Sequence, residues 1–282
     1  MESIIADLWP GYRLLEEMNY QENPALLSEM EAVAAPSYEK TRSLLAREFA
    51  HNHSVCFIRN REQELVAFFL TNFDEIDNEL FSYMGLLAID PRFKNSSLAA
   101  PLVFHYIRRL KEKEFLLGRP IQPWATTATL TVLKLLGSFC HHEPKIDGSF
   151  TEAGEAIARK IGQLYKLPSD QSNPFIVRGL AHDTQYSKEE NLRMELATRR
   201  KGSHVLEQFR IDERAGDRLI VVVRSLDVQK YLQWSQKLRL DPGYWLQAND
   251  GYRLQANESI PFVCPDDQYL LTSKTSLHQY AP

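Results

Sequence analysis

The chain has 282 residues, 44% of them hydrophobic, enough for one large core or two modest ones. Its 33 Lys and Arg against 37 Asp and Glu leave a formal charge of -4, which argues against a protein that holds nucleic acid by broad phosphate neutralisation. Cys56, Cys140 and Cys264 are widely spaced with no C-x-x-C pair and read as reduced thiols. The acidic first residues do not resemble a secretory leader, and no run approaches the ~18 apolar residues of a membrane span, so a soluble cytoplasmic protein is expected.

In chain order, Gly11 to Met18 suits a first strand. Pro24 to Ala35 and Ser37 to Ala50 carry apolar residues at helical spacing; Pro36 separates them and Ser37 suits an N-cap. Val55 to Ile58 and Leu65 to Leu70, split by the polar RNREQE, predict a hairpin. An acidic loop, Asp74 to Glu79, precedes a longer strand, Leu80 to Ile89. Leu98 to Phe115 is the clearest helix: Leu98, Leu102, Val103, Tyr106, Ile107 and Leu110 share one face, with His105 expected at the surface on the other. Pro101 falls in the first turn, where no intrahelical bond is lost.

A strand at Ile121 to Thr127 and a helix over Leu130 to Leu136, ending at Gly137, follow. Cys140-His141-His142-Glu143 reads as a loop after that helix, with a buried Cys and solvated histidines. Adjacent side chains on extended backbone point apart, so the two histidines would not share a metal. A helix at Glu152 to Tyr165 and strands at Pro174 to Arg178 and Leu219 to Arg224 complete an α/β arrangement with a mixed sheet. Residues 1–224 are read as one domain and 225–282 as a C-terminal extension, a helix with Val228, Tyr231, Leu232 and Leu238 on one face and an irregular tail. Its aromatics, Tyr231, Trp234, Tyr244, Trp245 and Tyr252, suit either a core or a homodimer interface.

Most of the functional information lies in LAIDPRFKNSSLAAPLV, residues 87–103. A strand ends at Ile89, Asp90-Pro91 breaks it, and small polar residues run straight into a helix. Such a loop aims backbone N–H groups and the positive end of a helix dipole at one point, a setting suited to a pyrophosphate. Lys94 adds a charge and is expected at the surface; Ser96 or Ser97 suits both a cap and a phosphate contact. A well-capped helix with no ligand is the plainer alternative. No G-x-x-x-x-G-K-[ST], G-x-G-x-x-G or G-x-S-x-G occurs, so nothing supports a P-loop, dinucleotide or serine-esterase reading.

On these residues the chain resembles the GNAT superfamily of acyl-CoA-dependent N-acyltransferases, whose strand ends in a pattern like L-A-V-D-P before R/Q-x-x-G-x-G/A and a helix. Leu87, Ala88, Ile89, Asp90 and Pro91 match the first part; Lys94 stands at the Arg/Gln position, Ser97 at the first Gly and Ala99 at the last position. Asn95-Ser96-Ser97 replaces the glycine-rich turn, a departure that restricts backbone freedom.

The resemblance implies a mixed, mostly antiparallel central sheet flanked by helices, with a splayed strand end. It implies that acetyl-CoA or another acyl-CoA is held by Leu86, Leu87, Ala88 and Ile89 along the pantetheine and by Lys94, Asn95, Ser96, Ser97, Leu98 and Ala99 at the pyrophosphate. Thr126 and Thr127 would lie beside the acyl channel, though threonine is also a good strand and cap residue.

The family's usual general base falls at Tyr83 by register, a poor base at its ordinary pKa, with Glu79 nearby acting through water or merely solvated. Leu133 stands where the family places its tyrosine acid, in LKLLGSF, residues 133–139. Tyr83 could replace it. Two functions therefore stand: acyl transfer to a small-molecule or protein amine, or an inactive GNAT-fold module that binds CoA ligands or a partner.

Overall fold

The computed structural model describes residues 2–8, 11–94, 96–182, 184–201, 205–248 and 259–261. Strand β1 (Ser3–Leu8) precedes β2 (Tyr12–Met18), and helices α1 (Pro24–Ala34) and α2 (Thr41–His51) lead to β3 (Ser54–Arg59). Long strands β4 (Leu65–Ile76) and β5 (Glu79–Ile89) follow, then α3 (Ala99–Leu117), β6 (Ile121–Thr127), α4 (Leu130–Gly137) and β7 (Cys140–Glu143). The chain continues through α5 (Glu152–Leu164), β8 (Ile176–Val177), α6 (Lys188–Lys201), α7 (Val205–Gln208) and β9 (Arg218–Asp227). Helices α8 (Val228–Leu238) and α9 (Tyr244–Ala248) and the short β10 (Ser259–Pro261) end the described chain.

Among the described residues these strands form one sheet in the order β1-β2-β3-β4-β5-β6-β9-β10, with β7 and β8 both added to β9. All pairs are antiparallel except β5 with β6, whose parallel pairing requires the α3 crossover. This is the mixed, mostly antiparallel sheet flanked by helices that the sequence implies.

Two apolar clusters lie on opposite faces, and strand alternation divides the residues between them. In β3, Val55 and Phe57 pack on α1 and α2, while Cys56 and Ile58 pack on the α3 face; β4 divides Phe68 and Leu70 from Ala67 and Phe69 in the same way. In β5 the alternation breaks. Phe69 pairs with Leu87 but Thr71 pairs with Met84, so Gly85 and Leu86 together oppose Leu70. This β-bulge puts Met84 on the α3 face and Leu86, two residues on, on the α1/α2 face.

Several expectations are corrected here. β1 was not anticipated, and α6, whose KEENLRMELATRRK has little apolar periodicity, was missed. The strand expected at Pro174 to Arg178 reduces to Ile176–Val177. The acidic loop contracts to a tight turn at Asp77 and Asn78, both at positive φ (51 and 62), with Asp74 in β4 and Glu79 opening β5. Ser37 does not cap α2, which starts after Lys40 without a side-chain cap; a short 3-10 turn intervenes and the Ser37 hydroxyl accepts a hydrogen bond from Lys94 instead.

His105 is buried, at 3% exposure, because Glu16 of β2 covers that side of α3, its Oε2 lying 3.6 Å from His105 Nε2. Residues 140–143 are a strand: His141 is exposed, but His142 is buried with Nδ1 and Nε2 each 2.9 Å from a carbonyl oxygen, of Pro144 and Leu133 respectively.

β9 runs unbroken through residues 224 and 225, and α8 lies on α3. Tyr231 stacks on Phe104 at 4.5 Å between ring centroids and 7° between planes. Tyr231 and Trp245 are core residues, Trp234 stacks on Phe139, and Tyr244 is exposed; Tyr252 lies outside the described residues. Removing the buried Phe104 ring should cost about 3–5 kcal/mol and loosen α8. Urea denaturation of Phe104→Ala measures the loss, and protease sensitivity within α8 reports the loosening.

Candidate functional site

Strands β5 and β6 stay paired from Leu80↔Ile121 to Met84↔Ala125 and then part. Thr126 and Thr127 continue to pair only with β9, through Ile220 and Leu219, while Leu87 to Ile89 pair only with β4. The bulge bends β5 at this point, and a cleft of about 390 Å³ opens between the strands. Gly85, Leu86, Leu87, Ala88 and Ile89 form one wall, and Thr126, Thr127, Thr129, Thr131 and Val132 form another. Over it lies a strap from the α1–α2 connection and the segment leading into α6: Ser187 N–H donates to Ser37 O (2.9 Å), and Tyr38 stacks on Tyr186 with centroids 5.0 Å apart.

Most of the residues named from sequence meet in this cleft. Tyr83, Leu87, Ala88, Ile89, Lys94, Ser97, Leu98, Ala99, Thr126 and Thr127 all line it. Ser96 is exposed and its hydroxyl donates to Phe93 O; Asn95 lies outside the described residues. Ser97 has φ +64, the left-handed conformation, at the position where the family pattern carries glycine. Ala99 opens α3; Ala100 N–H donates to Ser97 O (3.0 Å) and Pro101 carries no N–H, which leaves the amides at the very start of the helix for a ligand.

Lys94 is not at the surface. Its side chain is 13% exposed, and Nζ donates to Glu190 Oε2 (2.5 Å) and Ser37 Oγ (2.8 Å). Burial acts to raise the Glu190 pKa, but hydrogen bonds from Arg193 and Lys94 outweigh it and hold the carboxyl below the usual glutamate range. Stability from this network is therefore complete above that range and is lost as pH falls below it.

The two candidate catalytic groups part company. Tyr83 faces the cleft with its hydroxyl 3.3 Å from Thr126 Oγ1, and burial, helped by the charge of Glu48, drives its pKa far above the ordinary value. It is a hydrogen-bond donor, never a base at neutral pH. Glu79 does not line the cleft; it stands four residues earlier on β5, roughly 13 Å along the strand, half-exposed and ion-paired with Lys160. Leu133 is fully buried in the core, and α4 presents Thr131, Val132 and Leu135 to the cleft instead. Thr127 and Thr129 serve as local caps: Thr127 Oγ1 accepts from Thr129 N–H (3.0 Å) and Thr129 Oγ1 from Val132 N–H (3.4 Å).

Sequence reasoning missed Glu48, which is 7% exposed and lines the cleft from α2. Burial raises its pKa more than Arg47, His51 and Asn52 lower it. A signal was present: in α2 the apolar stripe runs Leu44, Leu45, Phe49, and Glu48 interrupts that stripe at helical spacing. Arg47, Tyr186 and Arg218 were also missed; the Arg218 guanidinium lies 5.7 Å from the Tyr186 ring centroid.

No protein-family model and no curated protein matches the chain. Among solved structures it is similar to the GNAT family N-acetyltransferase YhbS from Escherichia coli in complex with CoA, at 20% identity and TM-score 0.34, over 46% of this chain and 70% of that one. It is similar to the ribosomal-protein-S18-alanine N-acetyltransferase from Escherichia coli at 12% identity and TM-score 0.34, over 50% of this chain and 86% of the other. A chain of the NatC complex bound to Gag peptide and CoA gives 12% identity and TM-score 0.34, over 45% and 84%.

Two substitutions test the loop. Ser97→Gly should stabilise the protein by about 1 kcal/mol, since glycine adopts φ +64 without the cost a side chain carries. Lys94→Ala should destabilise it by about 2 kcal/mol by removing a charged hydrogen-bond partner of the buried Glu190. Urea denaturation at neutral pH measures both.

Proposed function

We propose that the cleft binds an acyl-CoA and that the protein transfers the acyl group, most simply acetyl, to a primary amine of a small molecule or protein. The observation that carries this reading is the parting of β5 and β6 directly after a bulge, in the same cleft as the first turn of α3. An extended pantetheine arm can run between the parted strands, using the backbone groups of Leu87, Ala88 and Ile89 that face away from β4. The pyrophosphate would sit at Ser97, Leu98 and Ala99, where helix-end amides and the helix dipole favour an anion. Asn95 and Ser96 remain candidates for the same loop. The buried, unpaired thiols Cys56 and Cys140 fit a reducing compartment such as the cytoplasm.

Catalysis then needs the amine deprotonated, the thioester carbonyl polarised and the departing sulfur stabilised. Tyr83, protonated throughout the working pH range, would donate a hydrogen bond to the sulfur as it leaves, with the Thr126 hydroxyl donating to the phenol oxygen. A second reading is favoured by the Lys94–Glu190 contact and by Ser97 in place of glycine: a module that binds a CoA ligand without turning it over.

Calorimetric titration with acetyl-CoA tests the shared part of both readings. Saturable binding at one site is expected, and Ala99→Glu, which puts a carboxylate where the phosphates would lie, should abolish it without unfolding the protein. Wild-type protein giving no heat at high micromolar acetyl-CoA overturns both. Release of free thiol when amines are added separates the enzyme from the inert module.

A further inference from the structure

We propose that Glu48 is the general base of this site, the group that takes the proton from the acceptor amine; the inference rests on the acyl-transfer reading above. Glu48 reaches the cleft from α2, on the side of β5 to which the bulge is turned. Its placement is fixed on both oxygens. Oε1 accepts from Arg47 Nη2 and Oε2 from Asn52 Nδ2, each at 3.2 Å. Arg47 is itself anchored, through Nη1, to Leu180 O (3.3 Å) and Thr184 Oγ1 (3.2 Å). Asn52 is fully buried and Nδ2 also donates to the Glu48 carbonyl at 2.8 Å.

The same asparagine meets the bulge. A Cβ on Gly85 would lie 2.7 Å from both Asn52 Oδ1 and Nδ2, so only glycine lets β5 approach it. The Asn52 side chain thus touches both the Glu48 carboxylate and Gly85, where the strand bends and the cleft opens. Each carboxylate oxygen accepts one hydrogen bond and keeps a further lone pair, and Glu48 lines the cleft while only 7% exposed. A carboxylate placed this way, ion-paired to one partly exposed arginine and otherwise buried, matches what proton abstraction from an ammonium requires.

The chemistry balances as follows. The Glu48 carboxylate takes one proton from R–NH3⁺. The freed amine nitrogen attacks the thioester carbonyl, forming the N–C bond. As the tetrahedral intermediate collapses the C–S bond breaks, the electron pair goes to sulfur, and the second nitrogen proton passes to the thiolate. Protonated Glu48 returns its proton to water. Tyr83 keeps its own proton and only hydrogen-bonds the sulfur.

The pH dependence follows from every group facing the carboxyl: Arg47 and His51 on α2, Tyr20 before α1, Tyr38 in the strap and Tyr83 on β5. Burial outweighs the cations, so the Glu48 pKa stands above its ordinary value. Activity carried by its ionised form is lost as pH falls through that raised value. Stability runs the other way: the folded protein holds this proton more tightly than the unfolded chain, so stability rises as pH falls through the same interval. Glu48→Gln keeps the shape but sets its NH2 against Arg47 or Asn52, so a lower melting temperature is expected and kcat is compared below that temperature.

The test uses full-length protein, acetyl-CoA, and a panel of glycinamide, lysine, spermidine and an alanyl peptide, with thiol release as readout. Glu48→Gln should lower kcat by about a hundredfold or more, leave the acetyl-CoA Kd within about twofold, and remove the acidic limb of the pH profile. Glu48→Asp should restore part of kcat and return that limb. A Glu48→Gln enzyme that turns over like the parent with the limb intact overturns the assignment. Parent protein that binds acetyl-CoA but acetylates none of the panel overturns it too and leaves the inert module. Parent protein that binds no acetyl-CoA sinks the acyl-transfer reading itself.

Discussion

The contact between Gly85 and the buried Asn52 side chain is the constraint on which the rest of the site depends. Asn52 closes α2, its backbone carbonyl accepting from Tyr20 Oη (3.0 Å) and Gln21 Nε2 (2.7 Å), while its side-chain Nδ2 donates back to Glu48 O (2.8 Å). β5 can come this close only without a Cβ, and an extra residue there turns Leu86 to the α1/α2 face. A bulge sharpens local bending and interrupts the ladder. Parallel pairing with β6 accordingly ends at Met84, and the cleft exists because it ends there. One residue without a side chain therefore sets strand direction, cleft position and the distance to the buried carboxylate together.

The strap above the cleft follows a different logic, one of charge. Lys94 leaves the end of β5, Glu190 and Arg193 come from α6, and Ser37 comes from the α1–α2 connection, so three separate segments meet at one ion cluster. Lys94 and Arg193 against one carboxylate leave this corner net positive, which suits an anionic ligand. The price is competition: a phosphate reaching Lys94 must share it with Glu190. Because Glu190 is held ionised by the same two cations, the contact persists at neutral pH and gives the strap a fixed anchor rather than a loose cover.

Legibility in the sequence followed physical simplicity. β6 and α3 were readable because alternation and helical spacing are local signals, and LAIDP followed by small residues located the start of the helix. Ser97 was readable as a position wanting glycine, and it takes φ +64. The failures share another cause. α6 is almost wholly polar and owes its place to ion pairs with distant residues, which no periodicity records. His105 looked solvent-facing because helix periodicity shows only one covering partner, whereas α3 is covered by the sheet, by α8 and by Glu16. Glu79 was drawn toward the chemistry by nearness in sequence, yet four strand residues carry it out of reach. Glu48 was visible as a charge on an apolar stripe, but its meaning needed the cleft.

The site also illustrates how one fold separates proton roles by surroundings alone. Tyr83 and Glu48 line the same cleft: a Glu48 charge adds to burial in raising the phenol pKa, while burial makes the carboxyl itself readier to accept a proton. Each shift pushes its group toward a single task, donor for the phenol and acceptor for the carboxylate. Arg47 limits the second shift. Tied to Leu180 O and Thr184, it opposes the upward shift that burial imposes on Glu48, yet with its side chain 34% exposed it does not cancel that shift. A fully buried bidentate arginine would have driven the carboxyl pKa down and made it a structural ion pair. A partly exposed one at 3.2 Å offsets burial only in part, so the carboxyl keeps the raised proton affinity that an amine acceptor requires of a base in this cleft.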